Sequence, residues 1–308
     1  MTDRYRVAVV GLGKIGLGAE GDPVRPKPAS HIGAWDSAHR AELVAGCDPA
    51  YAGVWGDKWS LRRSVADLLQ YDAPLDIVSV ATPPATHREI VEACATAKVR
   101  LVICEKPLAL TSQDAEAMVA ICQKTGTILL TNHFRRFDPM IREAAARVAK
   151  GEIGQVVSAT GWYTGGLWEG GSHMVDLMRM FCGEVTAAES VGPDLAALRF
   201  ASGLVGTMQG FDITHYVIGT LTLLGTKGSF ILHRAGLWAS WYKPEPTYPL
   251  ADSYHELALY DMRGGPPRSF FPAMTAHAVA CLDGTETPVS TGEDGRAAVR
   301  ILEQIEGR

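Results

Sequence analysis

Five short apolar runs, each ending abruptly in a glycine-rich or polar turn, constrain this chain more than any other feature. They are "RVAVVGLG", "AELVAGCDP", "LDIVSVATPP", "RLVICEKP" and "TILLTNHF", and they fall between Arg4 and about Thr131. Helix-like stretches lie among them: "SVADLLQY", "HREIVEACATAK" and "SQDAEAMVAICQKTG". A continuous apolar run bounded by turns suits a strand covered on both faces. Strands alternating with helices imply a parallel, doubly wound sheet with right-handed crossovers. From about residue 150 the pattern changes. "QVVSATGWY", "AALRFASGLVGTMQGF", "IGTLTLLGTKGSFILH" and "LWASWYK" read as antiparallel strands, with glycines marking the hairpin turns in "FASGLV" and "LGTKGSF". One helix, "SHMVDLMRMFCG", interrupts them, and a last helix, "EDGRAAVRILEQI", follows. The proline-rich stretch from Lys243 to Pro272 reads as a long surface loop. The fold class is therefore α/β plus α+β. A doubly wound parallel sheet spans 1–131, an open and mostly antiparallel sheet domain spans 132–290, and the helix in 291–308 packs back on the first domain.

Length agrees with two domains, since 308 residues exceed the usual span of one hydrophobic core. A net charge of −5 and the absence of a basic run exclude a nucleic-acid surface and an anionic membrane patch. The opening run is too short for a signal sequence, and no segment approaches the roughly 18 apolar residues of a membrane span. Six cysteines, at 47, 94, 104, 122, 182 and 281, form no CxxC pair, and Cys94, Cys104 and Cys182, in apolar runs, read as reduced core thiols, which points to the cytoplasm.

The chemistry gathers where the first five strands end. Gly11, Gly13 and Gly16, with Lys14 and Ile15 between them, follow a strand and open a helix. In that context the pattern suits a dinucleotide: a tight turn, close approach of a pyrophosphate, and close helix–strand packing. Asp48 ends the second strand, where a carboxylate binds ribose hydroxyls and favours NAD over NADP, with NADP still possible through Arg62 or Arg63. Asp48 comes 37 positions after Gly11, against a usual spacing of roughly 20. The surplus is assigned to an insertion, "LGAEGDPVRPKPAS" (17–30), readable either as part of a lid or as an idle surface loop. Thr82, Pro83 and His87 belong to the turn after the third strand and are placed at the cofactor, with Thr86 as a helix N-cap. Glu105 and Lys106 end the next strand and face the crevice of a nicotinamide. Pro107 restricts the lysine and makes the Lys106–Pro107 bond a candidate for cis. A partly desolvated lysine there can donate to a substrate hydroxyl or give up a proton, with Glu105 holding it.

In this order, GxGxxG, "ATPPATH", "CEKPLAL", "NHFRRFDP" and "GSHMVDLMRMFCGE" resemble the Gfo/Idh/MocA oxidoreductases over nearly the whole chain. The resemblance implies a Rossmann domain and a second, open-sheet domain that forms one wall of the active site and packs in oligomers. It also implies a general acid/base at His173, in "EGGSHMVD", where the family shows D-x-G-x-H-x-x-D. Asp176 shares a helix face with His173. Glu169 stands where the family usually has Asp, one methylene shorter, so its catalytic role is the least secure of the three with Lys106 and His173. Asn132, Arg136, Tyr163 and Trp168, with Lys106, His173 and Asp176, are placed at the substrate. For the arginines of "HFRRF", support of the fold is the preferred role of Arg135. The expected function is NAD(P)-dependent hydride transfer with a secondary alcohol of a sugar or polyol, without a metal, in a homodimer or homotetramer. Two other readings remain open at this point: an internal oxidation–elimination or epimerisation cycle on tightly bound NAD, and a non-catalytic cofactor sensor.

Overall fold

The computed structural model describes residues 4–51, 58–71, 73–246 and 255–308. The chain divides into two compact units. The first comprises 1–137 and 268–299, the second 138–267 and 300–308.

The first unit holds six parallel strands in the order β3-β2-β1-β4-β5-β6. They are β1 Tyr5–Val10, β2 Ala41–Cys47, β3 Ser60–Arg62, β4 Ile77–Val80, β5 Leu101–Cys104 and β6 Ile128–Thr131. β4 and β5 are buried at every position, as their unbroken apolar runs require for strands covered on both faces. The intervening helices are α1 His31–Asp36, α2 Val65–Leu69, α3 His87–Thr96 and α4 Ser112–Thr125. Their ends follow from local chemistry. Thr111 accepts the Asp114 N–H at the start of α4, and Gly126 ends that helix in the left-handed region at φ 78°. At the start of α3 the Thr86 hydroxyl makes no cap. A 3-10 turn over Pro84–Thr86 precedes the helix, and the hydroxyl donates to the Pro83 carbonyl or the Thr82 hydroxyl instead.

The first unit also takes residues that follow the second sheet in sequence. Helix α7, Phe271–Leu282, carries Met274, Ala278 and Cys281 into the core beside Val7, Val9 and Trp35. Ser290 then clasps β6: Thr131 donates its N–H to the Ser290 carbonyl, and the Ser290 hydroxyl donates back to the Thr131 carbonyl. The segment covers an edge that would otherwise stand unpaired. The first unit thus runs beyond 131 to Phe137 and regains 268–290, because those residues carry apolar side chains into its core. Burial also keeps the thiols inert: Cys94 and Cys122 are pushed up to about 12, and all six cysteines are free.

The second unit is built on an eight-stranded sheet of order β14-β13-β12-β11-β7-β10-β9-β8. Its strands are β7 Val156–Thr164, β8 Val185–Gly192, β9 Leu195–Phe200, β10 Val205–Phe211, β11 Gly219–Gly225, β12 Gly228–His233, β13 Trp238–Pro246 and β14 His255–Gly264. Only the β7–β10 pair is parallel. Helices α5 Pro139–Ala149 and α6 Ser172–Cys182 belong to this unit. α6 packs closely because the sheet beneath it lacks side chains where it crosses. A Cβ at Gly161 would strike the Met174 side chain at 2.5 Å, and one at Gly206 would strike Met178. The stretch read as a long loop from Lys243 to Pro272 holds strand at both 243–246 and 255–264, with 247–254 outside the described residues. The two prolines of β13 are tolerated because β12 pairs β13 only as far as Tyr242, so Pro244 and Pro246 face no donor-seeking neighbour on that side. Helix α8, Gly292–Glu306, begins in the first unit and ends in the second.

Candidate active site

Sheet register alone sets the row of functional residues in the first unit. Val10 pairs Cys47 on one side and Val80 on the other, Val80 pairs Cys104, and Cys104 pairs Thr131. The residues that follow these positions are Gly11, Asp48, Ala81, Glu105 and Asn132. Their N–H groups continue the ladder: Gly11 to Cys47, Ala81 to Val10, Glu105 to Val80 and Asn132 to Cys104. Five strand ends stop at one level, at the carboxyl edge where open α/β sheets bind ligands.

The glycine loop fits a dinucleotide. Gly11 has φ 90°, and a Cβ there would meet the Ala81 carbonyl oxygen at 2.6 Å; a Cβ at Gly16 would meet the Gly11 carbonyl oxygen at 1.9 Å. These two glycines are demanded by the protein's own packing. Gly13 is not, since its Cβ would meet nothing within 4 Å. Its bare backbone leaves open space of the kind a pyrophosphate needs. Asp48 is fixed against the same loop. One carboxylate oxygen accepts the Leu12 N–H at 2.9 Å and the other the Ala50 N–H at 2.8 Å, so it presents two oriented oxygens with lone pairs left for ribose hydroxyls.

The insertion leaves the helix geometry intact around it. Leu17 donates its N–H to the Gly13 carbonyl, as in an ordinary first helical turn. The next acceptor, Lys14, takes the Ala19 N–H, and the two after it, Ile15 and Gly16, take their hydrogens from His31 and Ile32, at 3.1 and 2.9 Å. His31 therefore stands where residue 19 of an uninterrupted helix would stand, and 12 residues are looped out. Subtracting them reduces the Gly11–Asp48 spacing from 37 to 25, close to the usual roughly 20. The excluded segment is knotted. Lys27 donates to the carbonyls of Ala19, Glu20 and Asp22, while one Glu20 oxygen accepts the Ala29 N–H and the Ser30 hydroxyl.

The splice delivers His31 to the EKP motif. Its ring is fully buried, and Nε2 lies 2.9 Å from Glu105 Oε1. The same oxygen accepts the Asn132 side-chain N–H at 2.5 Å. Burial alone would raise the Glu105 carboxyl. The hydrogen bonds from His31 and Asn132, with the charge of Lys106, overcome that and hold it below the ordinary carboxylate range. The Lys106–Pro107 bond is cis. His31 escaped the sequence reading because the insertion displaced it; it becomes visible only at the third position after Gly16 once 12 residues are removed.

Other expected residues of the first unit serve its framework. Arg136, expected at the substrate, pairs with Asp294 at 3.1 Å and donates to the Val289 carbonyl, tying the turn after β6 to the start of α8. Arg135 lies over the Phe134 ring. Asn132, also expected at the substrate, directs its amide at Glu105. The buried His87 ring spans the Thr82 carbonyl at 2.9 Å and the Leu108 carbonyl at 3.1 Å. It braces the turn that carries Thr82 and Pro83.

In the second unit His173 and Asp176 lie one turn apart on α6, His173 half-buried and Asp176 buried. A π-type turn, Leu167–Gly171, leads into that helix, with Glu169 exposed on it. The turn fits because Gly170 and Gly171 lie against the Tyr163 ring, within 3.1 and 3.2 Å of where each Cβ would stand. Tyr163 is therefore core, its hydroxyl pushed up to about 12 by burial and the charge of Asp194. Trp168 donates its indole N–H to Glu306 at 2.7 Å and lies beneath Arg308.

Residues 5–133 match the family model described as "Oxidoreductase family, NAD-binding Rossmann fold". Among curated proteins, D-apiose dehydrogenase of Paraburkholderia graminis is 37% identical over 131 residues, which span 41% of this chain and 34% of that protein. The chain thus aligns with about a third of that relative's length. The scyllo-inositol 2-dehydrogenase (NAD(+)) of Bacillus subtilis is 28% identical, over 74% of this chain and 79% of its own. Among solved structures, levoglucosan dehydrogenase in complex with NADH and L-sorbose superposes with a TM-score of 0.78 at 19% identity, covering 99% of this chain and 96% of that one. The WlbA dehydrogenase of Bordetella pertussis gives 0.72 at 22%, covering 99% and 96%. At such identities the structural likeness speaks to the fold alone.

Proposed function

We propose that this chain is a Gfo/Idh/MocA oxidoreductase, a reading supported by the match of residues 5–133 to that NAD-binding family model, and that it is an NAD-dependent dehydrogenase or ketoreductase acting on a secondary alcohol of a sugar or polyol. The observation that carries the reading is the row of strand ends, in which the glycine loop, Asp48 and the Glu105–Lys106 pair stand at one level of one sheet. Bound NAD supplies a hydride acceptor at its nicotinamide. The protein's own residues do the rest. Gly11, Gly13 and Gly16, with Lys14 and Ile15, shape the loop for the phosphates, and Asp48 takes the ribose hydroxyls and disfavours a 2′-phosphate. Thr82 and Pro83, held by His87, give the cofactor a rigid border. Lys106 directs its ammonium at the substrate oxygen, where a cation stabilises the negative charge that develops as the O–H proton leaves. His173 is assigned the hydroxyl proton from its place in the family motif, and imidazole suits that exchange near neutral pH. Asp176 orients His173, and Glu169, one methylene longer than the usual Asp, hydrogen-bonds a substrate hydroxyl. The sugar-active names of the relatives support a carbohydrate as substrate. Among the described residues no helix is long and apolar enough to cross a membrane, and all six thiols are free, which supports a cytoplasmic enzyme. The sheet of the second unit is proposed as the surface of a homodimer or homotetramer.

The test is absorbance at 340 nm with NAD and a panel of sugars, inositols and nucleotide sugars, beside the Lys106→Met variant. The expected result is formation of NADH that the variant slows by about 100-fold or more. Turnover by Lys106→Met within a few-fold of wild type on the best substrate would refute the assignment. NADH that fails to accumulate while substrate is consumed would move the reading to internal redox cycling.

A further inference from the structure

The looped-out insertion and the EKP motif meet at one residue. His31 donates its backbone N–H to Ile15 of the glycine loop and directs its ring at Glu105, three strands' width of chemistry joined by a single side chain. The ring has no solvent exposure and lies edge-on to Phe271, with centroids 5.2 Å apart and planes at 78°. Nδ1 makes no hydrogen bond to the protein. Facing a carboxylate, which only accepts, Nε2 is the ring atom that donates to Glu105.

We infer that His31 is a positioning residue of this oxidoreductase: its Nε2–H fixes the Glu105 carboxylate, and Glu105 in turn holds the Lys106 ammonium where it acts. The inference rests on the role proposed above for Lys106. Both donors to Glu105, His31 and Asn132, converge on the Oε1 atom, while Oε2 accepts the backbone N–H of Lys106 at 3.3 Å. The groups that face this carboxylate are thus an imidazole from α1, an amide from the end of β6, and its own neighbour Lys106. Removing one of two donors frees the carboxylate to turn about the other. A charge displaced by about 1 Å at a reacting centre can slow turnover by up to about 100-fold. A residue that merely supported the fold would not act specifically through Glu105.

The experiment compares His31→Leu, His31→Gln, His31→Asn, Glu105→Gln, the double variant His31→Leu/Glu105→Gln, and Lys106→Met. Gln places its amide nitrogen near the position of imidazole Nε2, whereas Asn reaches only toward Nδ1. Turnover and KM are measured on the best substrate, NADH affinity by fluorescence, and the rate of Lys106 acetylation at pH 8 by peptide mass spectrometry. His31→Leu is expected to lower kcat by about 10- to 100-fold, while KM and NADH affinity stay within about twofold. Gln restores most of the loss and Asn does not. In the Glu105→Gln background the leucine adds less than about a twofold loss, the non-additivity of residues that act as one unit. Acetylation of Lys106 rises several-fold in His31→Leu, because an ammonium less well paired deprotonates more readily.

Equal losses in the two backgrounds would overturn the inference, as would a His31→Leu variant with unchanged kcat and unchanged acetylation. Should the leucine variant fail to fold, the contrast between Gln and Asn decides the matter, and parity between them overturns it. Full turnover by Lys106→Met would instead sink the functional reading. The acetylation rates would still show whether His31 governs Lys106.

Discussion

Glu105 is a carboxylate in a place where burial works against its charge. Two N–H donors and the Lys106 ammonium reverse that effect and depress its pKa. A group whose pKa is lower folded than unfolded contributes stability above its unfolded value, and the contribution is lost as pH falls through the folded one. Glu105 therefore stabilises the protein throughout the neutral range and ceases to do so in acid. Glu105→Gln keeps the shape and removes the charge. At pH 7 it should cost about 1.5–3 kcal/mol, the usual range for hydrogen bonds to a charged group. As the pH falls from the ordinary carboxylate range through the depressed folded value, the wild-type carboxyl takes up its proton and the difference should shrink. Thermal unfolding of both proteins at pH 7 and pH 4 measures it. A gap that stayed constant between the two would mean that shape, and not charge, explains the effect. The two catalytic candidates Lys106 and His173 differ in legibility for a physical reason. Residues such as Lys106 end an apolar strand and are conspicuous there, whereas His173 stands in a helix beginning with small residues and was singled out by motif resemblance. His31 was illegible in sequence, because its partner lies 74 positions away and its place in the helix is concealed by a loop.

At the scale of elements, the insertion after Gly16 makes the sharpest claim. Since His31 and Ile32 complete the hydrogen bonds that residues 19 and 20 of a continuous helix would make, the 12 intervening residues are topologically dispensable. Their internal ties serve the loop itself: Lys27 gathers three carbonyls, and Glu20 holds Ala29 and the Ser30 cap that restarts α1. Gly33 is part of that bargain, for a Cβ there would meet the Glu20 carboxylate at 2.2 Å. Deleting residues 19–30 should join the two helical pieces and keep His31 against Glu105. The deletion variant is expected to fold, to bind NADH within about threefold of wild type, and to keep a Tm within about 3 °C, since shortening a closed loop alters its entropy only slightly. Circular dichroism, a melting curve and NADH fluorescence check it. Loss of NADH binding in a folded deletion variant would show that the loop itself takes part in holding the cofactor. The elements that the sequence concealed share one trait. α7 is apolar nearly all round, so it carries no helical period to read, and its burial in the first unit explains why. The end of β13, past the "LWASWYK" read as strand, was disguised by Pro244 and Pro246, which a strand tolerates only where its neighbour has ended, and β14 was lost in the same proline-rich stretch. The five strands that end in the candidate site were legible because burial on both faces leaves an unbroken apolar signature.

For the whole molecule, connectivity argues that the two units melt together. The chain passes between them three times, and the last passage occurs inside one helix, α8. That helix is rooted at both ends. Thr291 and Asp294 exchange hydrogen bonds at its start, Asp294 pairs with Arg136, and a Cβ at Gly295 would strike Thr131. Near its end Gln304 accepts the Ala188 N–H and Glu306 accepts the Trp168 N–H. Neither unit can lose its part of the helix without fraying the other's. A second-unit perturbation and a first-unit ligand should therefore move one and the same transition. Arg147 is the suitable perturbation. It pairs with Glu152 and Asp261 and lies 3.7 Å over the Trp241 ring, joining α5 to β13 and β14. Arg147→Ala removes charged hydrogen bonds and a cation–π contact from a site with 17% side-chain exposure. The expected cost is roughly 2 kcal/mol, or about 3 °C in Tm for a chain of this size. NADH at a hundred times its Kd should add about 2.7 kcal/mol through the first unit and recover that loss. Differential scanning calorimetry of wild type and Arg147→Ala, with and without NADH, provides the check. One peak that falls with the substitution and rises with NADH is the expected outcome. Two peaks, one answering only to NADH and the other only to Arg147, would show that α8 does not couple the units.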